Sequence, residues 1–371
     1  MSNKKILSPI SEILEDLKKG KLVVIVDDEK RENEGDLVFI AEKVNSEKIN
    51  FMAKHARGLI CLALDDERVK KLQLELMANE NASRNKTAFT VSIEAKDGVT
   101  TGISAMDRAQ TIKVAVSSNF KLGDLVSPGH IFPLVAKKGG VLVRAGHTEA
   151  AVDLARLSGS KPSGVICEIM NDDGSMARYK DLINFCTKHK LKIGTIKDLI
   201  EYRMKTEKFV KCVHNEKIQT VFGEFNLFIY KSMIDSTQHI VLVKGKIKSE
   251  KIINVRMHTF NMYSDFLSIY SSKNSQLSNS MEYISKADGV IVIIRNPKKE
   301  LDINKNKKQS SEPILKEYGI GAQILLDIGI KKISLLSNTK KNIVGIEGFG
   351  LKIHDIKPII KSPNEKKDSY Y

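Results

Sequence analysis

Short apolar runs alternate with amphipathic stretches over the first 205 residues, and this alternation constrains the fold more than any other feature. Apolar runs bounded by turn residues predict strands at 22–26, 37–41, 59–64, 88–94, 141–144 and 165–169. Apolar residues at helical spacing predict helices at 10–17, 46–56, 105–116, 148–157, 177–189 and 195–205. The residues placed to cap these helices are Ser8, Ser46, Ser104, Thr148 and Thr195. This order predicts an α/β fold, built as an α+β sandwich rather than a barrel.

A change in composition marks where two domains meet. The chain has 371 residues, more than the ~100–200 residues of a usual domain. Residues 204–214 are polar and rich in lysine, which predicts a linker between a domain at 1–205 and a smaller domain at 206–371. The second domain also has an α/β pattern, with strands expected at 225–230, 240–243, 290–294 and 333–336 and a helix at 322–328. The polar tail at 361–371 is expected to be disordered.

Several classes of protein are excluded by composition. No apolar run approaches the ~18 residues that a membrane span needs, so we expect no membrane partner. The four cysteines include no CxxC pair, so neither a disulfide framework nor a zinc framework is indicated. The N-terminal MSNKKILSPI lacks the apolar segment of a signal peptide. We therefore expect a cytoplasmic protein.

Positive charge is in excess, and most of the excess falls after residue 206. The net charge is +15, and a basic region can indicate nucleic-acid binding. The lysines are scattered, however, and the single cluster at 298–308 has no interleaved aromatic residues of the kind that stack on bases. This favours a solvated loop, so we expect no nucleic-acid partner and consider acidic small molecules instead.

The segment from Asp27 to Asp36, DDEKRENEGD, places six carboxylates among ten residues between two apolar strands. A solvated, charged loop is one interpretation, because loops are commonly charged. The alternative is a Mg²⁺ or Mn²⁺ site for a phosphorylated substrate, because carboxylate oxygens are hard ligands and Arg31 lies among them.

A second candidate site is the segment from Val143 to Glu149, VRAGHTE, where a predicted strand meets a predicted helix. A helix N-terminus with Arg144 just upstream favours a phosphate group. His147 lies at the same corner, where an imidazole can bind a metal or move a proton. In the plainer interpretation, Thr148 only caps the helix and His147 is exposed.

Two further residues are candidates for acid–base chemistry. His130 lies in PGHIFP, which the two prolines predict to be a rigid turn. Glu168 lies inside the apolar strand GVICEIM, where a carboxylate is costly unless it is paired or functional. A structural ion pair of Glu168 with Arg144 or Arg178 is the alternative.

Taken together, these stretches resemble the 3,4-dihydroxy-2-butanone 4-phosphate synthases of riboflavin biosynthesis. The resemblance covers residues 5–205 and rests on the ordered blocks DDEKRENEGDLVF, HARGLICLAL, TAFTVSIEA, TTGISAMDRA, PGHIFPL, RAGHTEAAVDLARLSG and GVICEIMNDDGSMAR. It implies conversion of D-ribulose 5-phosphate to 3,4-dihydroxy-2-butanone 4-phosphate, with loss of C4 as formate. Metal-dependent enediol chemistry and a skeletal rearrangement are implied as well.

The resemblance also assigns roles to individual residues. It implies that Glu32 and His147 bind Mg²⁺ or Mn²⁺ and that His130 and Glu168 are catalytic. The substrate contacts that it implies are Arg31, Glu32, Asp36, Arg144, Ala145, Gly146, His147, Thr148 and Glu168, with the segment from Arg144 to Thr148 holding the sugar phosphate. Members of the family are homodimers with the site at the subunit interface, so His130 or His147 is expected to act across it.

The second half resembles GTP cyclohydrolase II in GEFNLFIYKSMIDSTQHIVLVKG, VRMH, EYGIGAQILLDIGIKKISLLSN and GIEGFGL. Counted from VRMH, the three zinc cysteines of that family fall on Asn261, Ser272 and Asn274, which are poor zinc ligands. The nucleotide-contacting EGRG is absent after Arg295, and the Asp and Arg of the DxRD motif fall on Ile314 and Lys316.

We therefore expect a degenerate, inactive cyclohydrolase-like domain that binds no zinc. Two alternatives remain. One is a bifunctional enzyme that also opens GTP at a different metal site, and the other is a non-enzymatic role such as nucleotide sensing, dimer support or contact with another pathway enzyme.

Overall fold

A computed structural model of the chain describes residues 7–28, 31–78, 80–82, 87–248, 250–261, 265, 271–295, 311–338 and 351–359. The chain divides into two compact units, Met1–Tyr202 and Arg203–Tyr371, close to the boundary expected after residue 205. No helix among these residues has both the length and the apolar character needed to cross a membrane.

The first unit contains seven described strands and seven described helices. The strands are β1 (Val23–Val26), β2 (Gly35–Ile40), β3 (Cys61–Leu64), β4 (Ile93–Ala95), β5 (Leu125–Val135), β6 (Ser163–Glu168) and β7 (Ile193–Thr195). The helices are α1 (Ile10–Lys18), α2 (Ser46–Phe51), α3 (Asp66–Lys71), α4 (Ala105–Val116), α5 (His147–Leu157), α6 (Tyr179–His189) and α7 (Ile196–Thr206). A π-helical turn, Met52–Ala56, continues α2.

The strands of this unit form one mixed sheet in the order β4-β5-β3-β6-β2-β1-β7. β2 pairs antiparallel with both β1 and β6, whereas β1 with β7 and β3 with β5 are parallel pairs. Every residue of β1, β2 and β3 is buried, because helices and loops cover the centre of the sheet. The mixed α/β class expected from the sequence is confirmed. The β2–β6 register sets Asp36 opposite Glu168.

Two of the five expected helix caps are confirmed. Ser104 Oγ accepts a hydrogen bond from Asp107 N, and Thr195 Oγ1 accepts one from Asp198 N. The other three expectations are wrong, because a neighbouring residue begins the helix instead. Pro9 precedes α1, the Asn45 side chain caps α2, and Gly146 precedes α5 without any side-chain cap.

Two local predictions are wrong, and a third is only partly right. Residues 141–144 do not form a strand, because a 3-10 turn, Gly140–Leu142, follows left-handed backbone at Gly139 and Gly140 (φ 96° and 62°). Asp153 Oδ2 accepts a hydrogen bond from Val141 N, so this apolar segment is buried without a sheet partner. PGHIFP is not a turn, since it lies within β5, and the strand expected at 88–94 is limited to β4 and isolated bridges at Phe89 and Thr90.

The second unit has its own mixed sheet, ordered β14-β13-β11-β12-β10-β9-β8. Its strands are β8 (Val210–Thr220), β9 (Gly223–Ser232), β10 (Gln238–Lys244), β11 (Ile252–Thr259), β12 (Gly289–Ile294), β13 (Lys332–Leu336) and β14 (Lys352–Lys357), and its helices are α8 (Ser271–Lys286) and α9 (Ser311–Asp327). The expected linker at 204–214 is wrong, because α7 runs to Thr206 and β8 begins at Val210. The tail at 361–371 and the basic cluster at 298–308 lie outside the described residues.

Candidate active site

A cleft of about 140 Å³ opens in the first unit where the loop after β1, the start of α5 and the end of β6 meet. Its lining is Arg31, Glu32, Glu34, Asp36, Cys61, Thr87, Phe89, Leu134, Arg144, His147, Thr148, Ile166 and Glu168. The structure therefore brings together seven of the ten site residues expected from the sequence. Ala145 and Gly146 are buried beside the cleft, whereas His130 is not part of its lining.

The acidic loop between β1 and β2 is organised around the buried carboxylate of Asp27. Its Oδ2 accepts hydrogen bonds from Arg31 Nη1 at 2.8 Å and Glu32 N at 3.2 Å. Its Oδ1 accepts a hydrogen bond from Glu34 N at 2.9 Å. Arg31 Nη1 also lies 2.6 Å from Glu32 Oε2, so the loop is a built structure rather than a merely solvated turn.

Three side chains of this region can hold a cation together. Ligand atoms of Asp27, Glu32 and His147 all lie within 4.8 Å of one another. His147 Nε2 lies 3.1 Å from the carbonyl oxygen of Ile25, so this nitrogen carries the donated proton and Nδ1 presents a lone pair. That lone pair faces Glu32 Oε2 at 3.8 Å and Asp36 Oδ1 at 3.5 Å.

This arrangement of lone pairs fits a divalent cation. Burial, with the nearby charge of Arg31, lowers the pKa of His147 to about 4 even though Asp27 opposes the shift, so the imidazole is neutral at pH 7. Asp36 Oδ1 is buried and has no hydrogen-bond partner. Carboxylate oxygens with one neutral imidazole are ligands suited to Mg²⁺ or Mn²⁺.

Two carboxyl groups, on Asp36 and Glu168, face each other across β2 and β6. Burial raises the pKa of Asp36 well above its ordinary value, and the charges of Glu168 and Glu32 raise it further. Burial also raises the pKa of Glu168, although a 2.9 Å hydrogen bond from Leu59 N to Oε2 opposes the shift. Each of these carboxyl groups therefore keeps its proton to a higher pH than an exposed carboxyl group does.

The N-terminus of α5 forms the opposite side of the cleft, with two guanidinium groups beside it. Arg144 lies 2.6 Å from the buried Glu149 Oε2 and donates a 3.0 Å hydrogen bond to Thr87 Oγ1. A Cβ placed on Gly146 would lie 2.5 Å from Arg144 Nη1 and 3.1 Å from Arg31 Nη2. Both arginines thus approach the backbone of Gly146, where a helix N-terminus favours an anion.

His130 occupies a different surface of the same unit. It lies on β5 with 43% of its side chain exposed, and its Nδ1 is 2.8 Å from Glu94 Oε2. Glu94 pairs with Val126 in the sheet and lies against Gly102, and the apolar side chains of Val126, Ile103 and Met106 are exposed. This surface therefore combines a titratable group with apolar area of the kind that a protein partner covers.

The ion pair considered for Glu168 does not form within the described residues. Arg144 pairs with Glu149, and Arg178 donates to backbone carbonyl groups of the acidic loop. Glu168 instead meets the backbone at Gly58 and Leu59.

Asp27 is one of the three side chains that can hold a cation, with Glu32 and His147. The sequence alone did not distinguish it from its acidic neighbours. Its one sequence signal is that it directly follows a buried strand. Thr87 and Cys61 were missed as well, because each resembles an ordinary strand or loop residue.

Comparisons with known proteins show which family the chain belongs to. The family model of 3,4-dihydroxy-2-butanone 4-phosphate synthase matches residues 11–202. The chain is 48% identical over 353 residues to the 3,4-dihydroxy-2-butanone 4-phosphate synthase of Neisseria meningitidis serogroup B, covering 94% of this chain and 97% of that protein. This chain belongs to the 3,4-dihydroxy-2-butanone 4-phosphate synthase family. As a member of that family, it is an enzyme of riboflavin biosynthesis.

Solved structures of the synthase family extend the likeness. RibBX, a two-domain 3,4-dihydroxy-2-butanone 4-phosphate synthase from A. baumannii, is 42% identical with a TM-score of 0.78, covering 94% of this chain and 99% of that one. A 3,4-dihydroxy-2-butanone 4-phosphate synthase solved in complex with two magnesium ions is 40% identical with a TM-score of 0.53, covering 54% of this chain and 98% of that one.

The second unit of this synthase carries a GTP cyclohydrolase II domain, since that family model matches residues 211–358. Riboflavin biosynthesis protein RibBA of Aquifex aeolicus is 46% identical over 383 residues, covering 97% of this chain and 94% of that protein. At the position expected for the first zinc cysteine, Asn261 donates its backbone N–H to Asp265 Oδ2 at 2.8 Å. The same oxygen lies 2.8 Å from Nε2 of His258 in VRMH. The side chains of Ser272 and Asn274 lie outside the described part of α8.

Proposed function

We propose that the first unit converts D-ribulose 5-phosphate into 3,4-dihydroxy-2-butanone 4-phosphate and formate by metal-dependent enediol chemistry and a skeletal rearrangement. The observation that carries this proposal is the meeting, in one cleft, of a cation-binding group, two carboxyl groups with raised pKa values and two arginines at a helix N-terminus. The two products together contain all the atoms of the substrate, so the reaction needs no external oxidant or reductant.

The substrate phosphate binds at the start of α5 in this proposal. Arg31 and Arg144 supply charge, and His147 and Thr148, the first residues of α5, supply backbone N–H groups that helical hydrogen bonds leave free. The Gly146 N–H is bonded to Arg144 O at 2.9 Å, which fixes the turn that precedes the helix. A Cβ at Gly146 would clash with Arg144 Nη1 at 2.5 Å and crowd Arg31 Nη2 at 3.1 Å, so glycine at this position leaves room for both guanidinium groups beside a common ligand. The carbon chain then extends toward Asp36 and Glu168.

Glu32 and His147 hold a Mg²⁺ or Mn²⁺ ion, and Asp27 supplies a further carboxylate within reach. When bound, the ion stabilises negative charge that develops on substrate oxygens. A relative solved in complex with two magnesium ions supports the use of a divalent ion. His147 is neutral at pH 7, as a ligand must be, and its proton remains on the nitrogen that faces Ile25 O.

Proton transfer falls to the facing carboxyl groups. Enediol formation requires a base to take a proton from carbon and an acid to give one to oxygen. Glu168 and Asp36 have raised pKa values for the same physical reasons, burial and the neighbouring negative charges. Close carboxyl groups do not both ionise readily, so one can hold a proton while the other accepts.

His130 completes the site from a partner subunit in this proposal, which makes the working enzyme a homodimer. Within one chain His130 lies outside the cleft, on a half-exposed strand beside exposed apolar side chains. A two-fold interface that covers this surface would bring His130 of each chain to the cleft of the other.

The test is release of labelled formate from ribulose 5-phosphate carrying ¹³C at C4, followed by NMR with and without exhaustive EDTA treatment. We expect labelled formate only when Mg²⁺ or Mn²⁺ is present. Full turnover after metal removal would rule out the metal assignment. The absence of formate under every metal condition would rule out the function itself.

For the second unit, we propose that the GTP cyclohydrolase II fold is retained without zinc or GTP hydrolysis. Asn261, Ser272 and Asn274 cannot become anionic ligands at neutral pH, whereas structural and catalytic zinc sites favour thiolates. A bifunctional enzyme is the second candidate, favoured by the family match and by the RibBA relative. Elemental analysis of the purified protein and an assay of formate release from GTP decide between them. Stoichiometric zinc with GTP turnover would establish the bifunctional enzyme.

A further inference from the structure

Arg178 occupies a position that the proposed chemistry does not use. It directly precedes α6, and its Nη1 donates hydrogen bonds to the carbonyl oxygens of Glu32, at 2.7 Å, and Asn33. The same nitrogen lies 3.9 Å from Glu34 Oε1. One side chain thus joins three consecutive residues of the acidic loop from outside the cleft.

The loop has a second support on its inner side. Asp27 binds the N–H groups of Glu32 and Glu34, so it holds the same stretch from within. Asn33, between these residues, has left-handed backbone (φ 54°), which asparagine adopts more readily than most residues and which turns the chain between Glu32 and Glu34. The backbone around Glu32 is therefore held from two directions, by Asp27 and by Arg178.

The base of Arg178 is itself fixed to the sheet. Its backbone N donates a 3.0 Å hydrogen bond to Asp181 Oδ2, which anchors the first turn of α6. In that turn, Leu182 packs over the start of β2, because a Cβ on Gly35 would lie 2.5 Å from its Cδ1. Ala177 N bonds to Ile169 O at 3.0 Å, just beyond β6. The loop is thereby connected to the strands that carry Asp36 and Glu168.

We propose that Arg178 is a positioning residue that holds the backbone of Glu32, and so sets the affinity of the site for its divalent cation. This inference rests on the proposed function, because it takes Glu32 as a metal ligand. Partners that orient a metal ligand commonly change metal affinity by about 10–100-fold when they are removed.

Charge and geometry predict opposite effects for one substitution, which makes the test decisive. Arg178→Met removes a positive charge from the neighbourhood of the site, and by charge alone this would strengthen cation binding. Loss of the two carbonyl contacts would free the loop and weaken binding. Weaker binding by Arg178→Met therefore reports geometry and not charge.

The experiment measures Mn²⁺ binding by electron paramagnetic resonance of the free ion, without substrate, for the full-length wild type, Arg178→Met and Arg178→Lys. We expect the Kd of Arg178→Met to rise about tenfold. Arg178→Lys should stay within about threefold of wild type, because a lysine ammonium carries three donors and can reach two carbonyls. High Mn²⁺ concentration should then restore most of the formate release lost in Arg178→Met.

Arg68 provides the matched control, since it also donates to two backbone carbonyls, Ala115 O at 2.7 Å and Ser117 O at 2.8 Å. Arg68→Met should lower thermal stability and leave the Mn²⁺ Kd unchanged. Unchanged or tighter Mn²⁺ binding by Arg178→Met would overturn the inference. If the wild type releases formate and binds Mn²⁺, and Arg178→Met has the same Mn²⁺ Kd as the wild type, only this inference fails. If the wild type does neither, the proposed function fails.

Discussion

Substitution of Gly58 by alanine tests how closely the structure holds Glu168. A Cβ at this position would lie 2.4 Å from the carbonyl oxygen of Glu168, 2.6 Å from Oε2 and 2.7 Å from its N. Ordinary van der Waals contact begins at 3.4 Å, so the two residues must separate by about 1 Å, and two of the three contacts are backbone that cannot rotate away. The 2.9 Å hydrogen bond from Leu59 N to Glu168 Oε2 would be lost or stretched by the same movement.

A displacement of about 1 Å at a reacting group commonly costs about 100-fold in rate. We therefore expect kcat/KM of Gly58→Ala to fall about 100-fold, which corresponds to about 3 kcal/mol of transition-state stabilisation. The assay is formate release from ribulose 5-phosphate, with circular dichroism and thermal unfolding to confirm the folded state.

Gly194→Ala is the control for Gly58→Ala, because the nearest contacts of its new Cβ would be side-chain atoms, of which Ile13 Cγ1 at 3.3 Å is the closest, with no backbone atom among them. Its turnover should stay within about twofold of wild type, as expected for a contact that side-chain movement relieves. Gly58→Ala activity within threefold of wild type, at unchanged stability, would refute the assigned position of Glu168.

Further outcomes follow for the groups proposed to move protons. Glu168→Gln should lower kcat by at least about 100-fold and leave substrate binding largely intact, because the amide keeps the shape and cannot accept a proton; near wild-type kcat would reduce Glu168 to a structural role. Mixing inactive His130→Ala with inactive Glu168→Gln should recover up to about a quarter of wild-type activity if His130 acts across a two-fold interface, and nothing if it acts within its own chain. In the metal-free protein, the contribution of Asp36 to the free energy of unfolding should fall as pH rises above about 4, because the folded state binds the Asp36 proton more tightly than the unfolded chain does. His147, with its pKa lowered to about 4, contributes in the opposite direction, so the Asp36 part is obtained by comparison with Asp36→Asn. Asp36→Asn should flatten this dependence in urea titrations at a series of pH values, and an unchanged slope would show that Asp36 does not cause it.

Motifs and periodicity predicted most elements of the first unit and most of the cleft lining. His147 lies where α5 begins, Glu168 lies where β6 ends, and Glu32 lies in the loop between β1 and β2. Their motifs could be noticed in the sequence because side chains at the ends of strands and helices and in connecting loops commonly meet in one cleft. Asp27 was not separable from Asp28, since a charged run does not show which carboxylate turns inward. Asp27 turns inward because the folded loop brings two backbone donors, Glu32 N and Glu34 N, to its carboxylate.

The predicted strand at 141–144 and the predicted turn at PGHIFP are wrong because contacts distant in sequence decide both segments. Val141 and Leu142 are buried in a 3-10 turn, and the Asp153 side chain accepts the Val141 N–H that a strand neighbour would otherwise accept. Hydrophobicity alone could not distinguish this segment from a buried strand. PGHIFP has the residues of a turn, and yet it pairs with β3 and β4, because neighbouring strands supply partners that local propensity does not include. His130 lies outside the cleft for the same reason, because its position is set by the pairing of β5 in the sheet and not by its local sequence.

The order of strands in the first sheet has a consequence for how the enzyme is made. Leu59 N and Glu168 Oε2 are bonded across 109 residues, and His147 and Ile25 O across 122. A ribosome releases β1 and β2 first, and an isolated two-stranded hairpin is at best marginally stable in water. The acidic loop is therefore synthesised long before β6, which carries Glu168. One edge of β1 also stays unpaired until β7, near the end of the unit, has been synthesised. Such distant pairings slow folding, and the candidate active site of a nascent chain cannot be complete before β6 has been synthesised.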